Sequence, residues 1–92
     1  MPTNAFDRQF HSSYKKFIKG TPSLKQKVNN ILIRFSQNPQ YPSLRLEKLQ
    51  GSNIWTIRVD RGNRLFFIWS STGDTAIFFL VGPHDSYRKL GN

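Results

Sequence analysis

His84 stands in "VGPHDSYRKL", directly after the apolar run 76–81, with Tyr87 three residues on and the basic pair Arg88 and Lys89 behind it. Upstream, "IWTIRVDRGNRLFFIW" carries Arg58 and Arg64 on either side of a turn. Histidine has the only unperturbed side-chain pKa in the neutral range and can take or give a proton. A guanidinium is a permanent cation that donates to phosphoryl oxygens in pairs. The phosphodiester of RNA breaks without a metal when its neighbouring 2′-OH attacks phosphorus. That reaction needs one group to accept the hydroxyl proton, another to offset the added negative charge and a third to protonate the leaving 5′-oxygen. Arg58, Arg64 and His84 can supply those functions, and Tyr87 could stack on a base, orient it or hand on a proton. Taken singly, each has a plainer use: His84 as a surface or capping residue in a Gly-Pro-His-Asp turn, Tyr87 as a packing aromatic that anchors the tail, the arginines as solvated strand residues. The combination is what points to chemistry. Glu47 is a further candidate base, with a surface ion pair to Arg45 as its plainer use.

Bringing these residues together falls to the strands. From Leu44 onward the apolar period is two, in the runs "SLRLEKL", "IWTIRV", "RLFFIW" and "TAIFFLV", separated by the turn segments "QGSN", "DRGN" and "SSTGD". This predicts an antiparallel meander. If Arg58 opposes Arg64 across a five-residue loop, Trp55, Ile57, Leu65 and Phe67 form one apolar face and the two arginines stand side by side on the other. A four-residue loop would oppose Val59 to Arg64 and mix the faces, so the first register is preferred. Like charges opposite one another repel, and an anion between them removes that cost. The last strand pairs with its predecessor, so its exit at Gly82, Pro83 and His84 emerges near Arg64. Before the strands, "AFDRQFHSSYKKFIKG" places Phe6, Phe10, Tyr14, Phe17 and Ile18 on one helical face, and "TPSLKQKVNNILIRFSQNP" does the same with Leu24, Val28, Ile31, Leu32 and Phe35. Lys25, Lys27 and Arg34 read as solvated. Thr21 as N-cap with Pro22 at the first helical position opens the second helix. The expected architecture is α+β: an N-terminal helical hairpin on one face of a four-stranded antiparallel sheet, with room for a short extra N-terminal strand, all in one domain spanning 1–92.

Fourteen Lys and Arg against five Asp and Glu give a formal charge of +9 on 92 residues. A field of that sign concentrates polyanions, with nucleic acid the leading class and a merely well-solvated basic surface the bland one. Zero cysteines exclude disulfides and thiolate metal sites. The opening 1–10 carries no apolar signal-peptide core and no run approaches a membrane span, so a cytoplasmic protein without a membrane partner is expected. The carboxylates are scattered and the two histidines far apart, which disfavours a metal-dependent nuclease. There is no Gly-rich phosphate loop, G-x-S-x-G or HExxH. Helix-turn-helix recognition by 7–37 is disfavoured because the second helix begins with few base-reading side chains.

"YPSLRLEKLQG", then "IWTIRVDRGNRLFFIW", then "IFFLVGPHDSYRKL" resemble, in order and spacing, the RelE/ParE superfamily of bacterial type II toxins over nearly the whole chain. The resemblance implies a ribosome-dependent mRNA endonuclease that needs no cofactor and is silenced by a cognate antitoxin through an acidic segment. It puts Arg58 at the family's catalytic basic position, Arg64 at its arginine after the turn, and His84 with Tyr87 at the C-terminal acid/base and tyrosine positions. Arg45, Lys48, Arg61, Arg88 and Lys89 would hold messenger or ribosomal RNA backbone. Thr56 stands where the best-known member has a second lysine, Asn63 replaces an aromatic, and the His84 to Tyr87 spacing is one residue shorter than is common. Sister branches poison DNA gyrase on the same scaffold, and a toxin-like module that only binds is the other alternative. The tail His and Tyr favour the nuclease branch.

Overall fold

The computed structural model describes residues 2–86. The chain runs β1 (Thr3–Phe6), α1 (Arg8–Ile18), α2 (Pro22–Gln37), a single 3₁₀ turn (Pro42–Leu44), β2 (Glu47–Lys48), β3 (Trp55–Arg58), β4 (Asn63–Trp69) and β5 (Thr75–Pro83). The strands form one sheet in the order β1-β5-β4-β3-β2. β2 to β5 make the antiparallel meander the sequence implies, and β1 is the extra strand, added parallel to β5 with Thr3 beside Thr75. No helix among the described residues is long and apolar enough to cross a membrane.

α1 starts later than its apolar spacing suggests. The Asp7 carboxylate accepts a hydrogen bond from the Phe10 N–H at 2.8 Å, a side-chain cap that ends the preceding strand and starts the helix. Phe6 therefore belongs to β1, and its ring packs on Phe10 and Phe78 across the strand-to-helix junction. α2 spans Pro22–Gln37 behind Thr21, whose side chain makes no capping hydrogen bond; Pro22 at the first position is what the local sequence contributes there.

The alternation in 44–49 predicts a strand throughout, and most of that segment is not one. Leu44 is buried and closes a 3₁₀ turn in which the Leu44 N–H donates to the Tyr41 carbonyl and the Arg45 N–H to that of Pro42. Arg45 follows with φ 50°, a left-handed conformation that breaks the alternation, so only Glu47 and Lys48 pair with β3. Arg45 and Glu47 consequently do not share a strand face.

Two helices cover the face of the sheet formed by Ile57, Leu65, Phe67, Ala76 and Phe78, with Trp55 and Trp69 partly buried at its margins. Phe35 of α2 sits at the centre, its ring 5.2 Å from Phe67 and 5.9 Å from both Phe78 and Trp69. The edge-to-face geometry with Phe67 and Phe78 satisfies the ring quadrupoles as well as burying area.

β5 carries one irregularity, close to its C-terminal exit. Phe67 pairs with Phe78 and Phe66 with Leu80, which leaves Phe79 as an extra residue between them. The phase of the strand reverses at that point. Val81 turns into the core opposite Leu65, while Gly82 lies opposite Arg64. Past the end of β1, the Val81 N–H would have no strand partner on that side; it donates to Ser13 Oγ of α1 at 3.1 Å, and Ser13 in turn donates to the Phe10 carbonyl.

Candidate functional site

β3 and β4 pair in the register that opposes Arg58 to Arg64, Ile57 to Leu65 and Trp55 to Phe67. The two arginines are therefore cross-strand neighbours on the side of the sheet away from the helices, both half-buried. The loop between them is stitched closed. The Asp60 carboxylate accepts from the Gly62 N–H at 3.0 Å and from the Asn63 side-chain amide at 2.9 Å, and the Val59 N–H donates to the Asn63 carbonyl. Partial burial pushes the Asp60 pKa up, but the Asn63 amide, the Gly62 N–H and the charge of Lys27 outweigh it and hold the carboxyl below its usual value.

That loop also aims Arg64. Its Nη1 donates to the backbone carbonyls of Asp60 and Asn63, both at 3.1 Å. One end of the guanidinium is thus anchored, and among the described residues its remaining donors and the whole Arg58 guanidinium have no hydrogen-bond partner. An arginine held in place by carbonyls with donors to spare needs little reorganisation to receive an anion.

The exit of β5 lies beside this pair. Gly82 is opposite Arg64, Pro83 opposite Asn63, and the His84 N–H donates to the Gly62 carbonyl at 3.1 Å. The His84 backbone is thereby fastened to the loop that connects the two arginines, with its imidazole exposed. A Cβ at Gly82 would stand 3.1 Å from Ser86 Oγ, so the chain turns back closely over this glycine.

The other residues singled out in the sequence are spread more widely. Arg61 is exposed in the stitched loop, and Arg45 is exposed after the 3₁₀ turn. Glu47 opposes Thr56 and so shares the arginine face, whereas Lys48 opposes Trp55 and shares the other. Tyr87, Arg88 and Lys89 lie outside the described residues.

Two concavities border the site, and neither Arg64 nor His84 lines either of them. One, of about 580 Å³, lies between α2 and the end of β3 and is lined by Lys27, Arg34, Arg58 and Arg61 among others. The second, of about 520 Å³, lies along α1 and the β5 exit, with Ser13, Lys16, Val81 and Ser86 on its walls. Lys27 and Arg34 read in the sequence as no more than solvated helix charges. Their spacing with Asn30 and Ile31 puts all four on one stripe of α2, a signal that acquires meaning only once the loop is known to land opposite it.

No protein-family model matches the sequence, and no curated protein does either. Solved structures do match its shape. A YoeB/ParE toxin from Agrobacterium tumefaciens superposes with a TM-score of 0.74 over 89% of this chain and 98% of that one, at 15% identity. The chain has the fold of the RelE/ParE toxins. The same RelE/ParE fold is found in the YoeB-YefM complex from Staphylococcus aureus (TM-score 0.70, 18% identity, 91% of this chain and 98% of that one). It recurs in the intact E. coli RelBE toxin-antitoxin complex (0.64, 17%, 92% and 99%). Within this fold two of the three departures noted in the sequence have structural uses. Thr56 is almost fully buried, with its hydroxyl 3.5 Å from the Glu47 carbonyl, a place where a lysine would lose its hydration. Asn63 supplies the amide that ties Asp60 into the loop.

Proposed function

We propose that this chain is the toxin of a bacterial type II toxin–antitoxin pair and acts on the ribosome as a metal-free endoribonuclease. The observation that carries the proposal is the cross-strand pairing of Arg58 with Arg64, with the His84 backbone hydrogen-bonded to the loop between them. In the reaction, a backbone phosphate of mRNA sits against the two guanidinium groups, which offset the charge gained as the 2′-OH attacks. His84 carries the proton, and Tyr87 supports the base or the transfer. Arg45, Lys48, Arg61, Arg88 and Lys89 contribute to holding messenger or ribosomal RNA, so that binding weakens steeply with salt.

The fold adds support, since neighbours of this shape were solved as toxin–antitoxin complexes. With a formal charge of +9, the chain suits an inhibitor whose acidic segment folds over the basic face and shields it. Both partners belong to the cytoplasm. The neighbour described as a YoeB/ParE toxin keeps a second reading in play, that of a gyrase poison that cuts nothing.

Induced expression in a bacterial host separates the readings. The nuclease is expected to stop translation within minutes and leave cut messages. A DNA-damage response with intact messages would move the protein to gyrase, and undisturbed growth would leave a binding module without catalysis.

A further inference from the structure

The cleft between α2 and the β3–β4 loop has a chemistry of its own. Lys27, Asn30, Ile31 and Arg34 face it from successive turns of α2, and Arg58, Asp60 and Arg61 face it from the other wall. Four cations thus meet one carboxylate, and that carboxylate is already engaged by the Asn63 amide and the Gly62 N–H. Lys27 lies close enough to act on Asp60 through its charge, yet the two form no ion pair. Arg34 is held in place from outside, its guanidinium 4.5 Å from the centre of the Tyr41 ring. Tyr41 is 40% exposed, which leaves aromatic surface beside that cation. At about 580 Å³ the cleft falls in the size range of small-molecule sites, with space for a nucleotide.

We propose that this cleft is a second RNA-backbone site, which takes the phosphates leading away from the Arg58 and Arg64 pair toward α2. Its role as a continuation of the cleavage site rests on the reading of that pair as phosphate ligands. Arg58 joins the two: it opposes Arg64 across the strands, and because β2 pairs only with Trp55 and Thr56, it lies on the uncovered edge of β3, where it also lines the cleft. Lys27 and Arg34 then act as phosphate ligands, and Tyr41 offers a face on which a base can stack. An acidic peptide would be attracted by the same cations. Continuity with Arg58 favours the RNA, because a strand lying across the arginine pair must carry its neighbouring phosphates somewhere along this surface.

The test is fluorescence anisotropy with a short, labelled single-stranded RNA that is 2′-O-methylated throughout, so that binding is read without cleavage. Lys27 and Arg34 are exposed on α2, and their joint replacement by alanine leaves the buried face of the helix untouched. The double variant Lys27→Ala/Arg34→Ala is expected to bind on the order of 10-fold more weakly at ~0.1 M salt, with the slope of log K against log salt reduced by about 1.4, roughly 0.7 for each lost contact. Lys25→Ala, on the same helix but outside the cleft, should match the wild type. Unchanged affinity and slope in the double variant overturn the proposal, as does loss of binding to a poly-glutamate peptide with RNA binding intact. Because the RNA cannot be cut, this outcome is independent of whether the protein cleaves messages.

Discussion

His84→Ala is expected to lower mRNA cleavage by about 10²-fold or more while leaving ribosome binding within a few fold of wild type. The split follows from where the residue sits. Its backbone N–H holds the strand exit against Gly62, a bond that alanine retains, whereas the exposed imidazole has no structural partner among the described residues. Removing the ring therefore deletes the proton carrier of the proposed reaction without loosening the loop that positions Arg64. Toeprinting on a defined message, with co-sedimentation as the binding control, reads both quantities. Undiminished cleavage would remove His84 from the mechanism, and lost sedimentation with ribosomes would recast it as a binding residue.

Phe35→Ala is expected to be the most damaging truncation in the core. Phe35 is fully buried and its ring touches Phe67, Phe78 and Trp69, so the cavity left behind is walled by rigid aromatic groups that cannot collapse into it. Such truncations cost about 3–5 kcal/mol, against a total of about 5–15 kcal/mol for an average domain. Urea unfolding should show the midpoint falling steeply, and expression of soluble protein should fall with it. Phe35→Leu, which keeps most of the volume, should lose far less. A stability loss of under ~1 kcal/mol for the alanine variant would mean that α2 does not centre on this residue.

The pairing of Arg58 with Arg64 is legible in the sequence for a definite reason. Only a five-residue loop leaves Trp55, Ile57, Leu65 and Phe67 on one side, and a sheet covered on one face cannot accept the slipped register. Spacing alone misplaces the start of α1, because Phe6 falls at helical distance from Phe10 and nothing in that pattern registers that Asp7 caps between them. The segment 44–49 misleads for a related reason. Its alternation of apolar and charged residues is real, but Leu44 is buried from a 3₁₀ turn, and the left-handed Arg45 ends that turn.

The bulge at Phe79 cannot be read from the sequence at all. Strict alternation would put Phe78, Leu80 and Gly82 on one face, with Gly82 turned away from Arg64. The extra residue reverses that phase and brings Gly82 to the arginine side, and with it the entry to the His84 turn. Part of the site thus depends on a local irregularity that only tertiary pairing selects. The α2 cleft is similar: Lys27 and Arg34 become significant through a loop more than twenty residues away in sequence, held in place by Asp60 and Asn63.

The most direct measurement of the central claim is the chemistry of the cut ends. Translating ribosomes carrying a defined message are incubated with the protein, and both fragments are analysed by mass spectrometry and by ligation. Attack by the 2′-OH leaves a 2′,3′-cyclic phosphate on the upstream fragment and a 5′-hydroxyl on the downstream one, and these are the ends predicted. A 5′-phosphate paired with a 3′-hydroxyl, or a message that stays whole in the presence of folded protein, would contradict it.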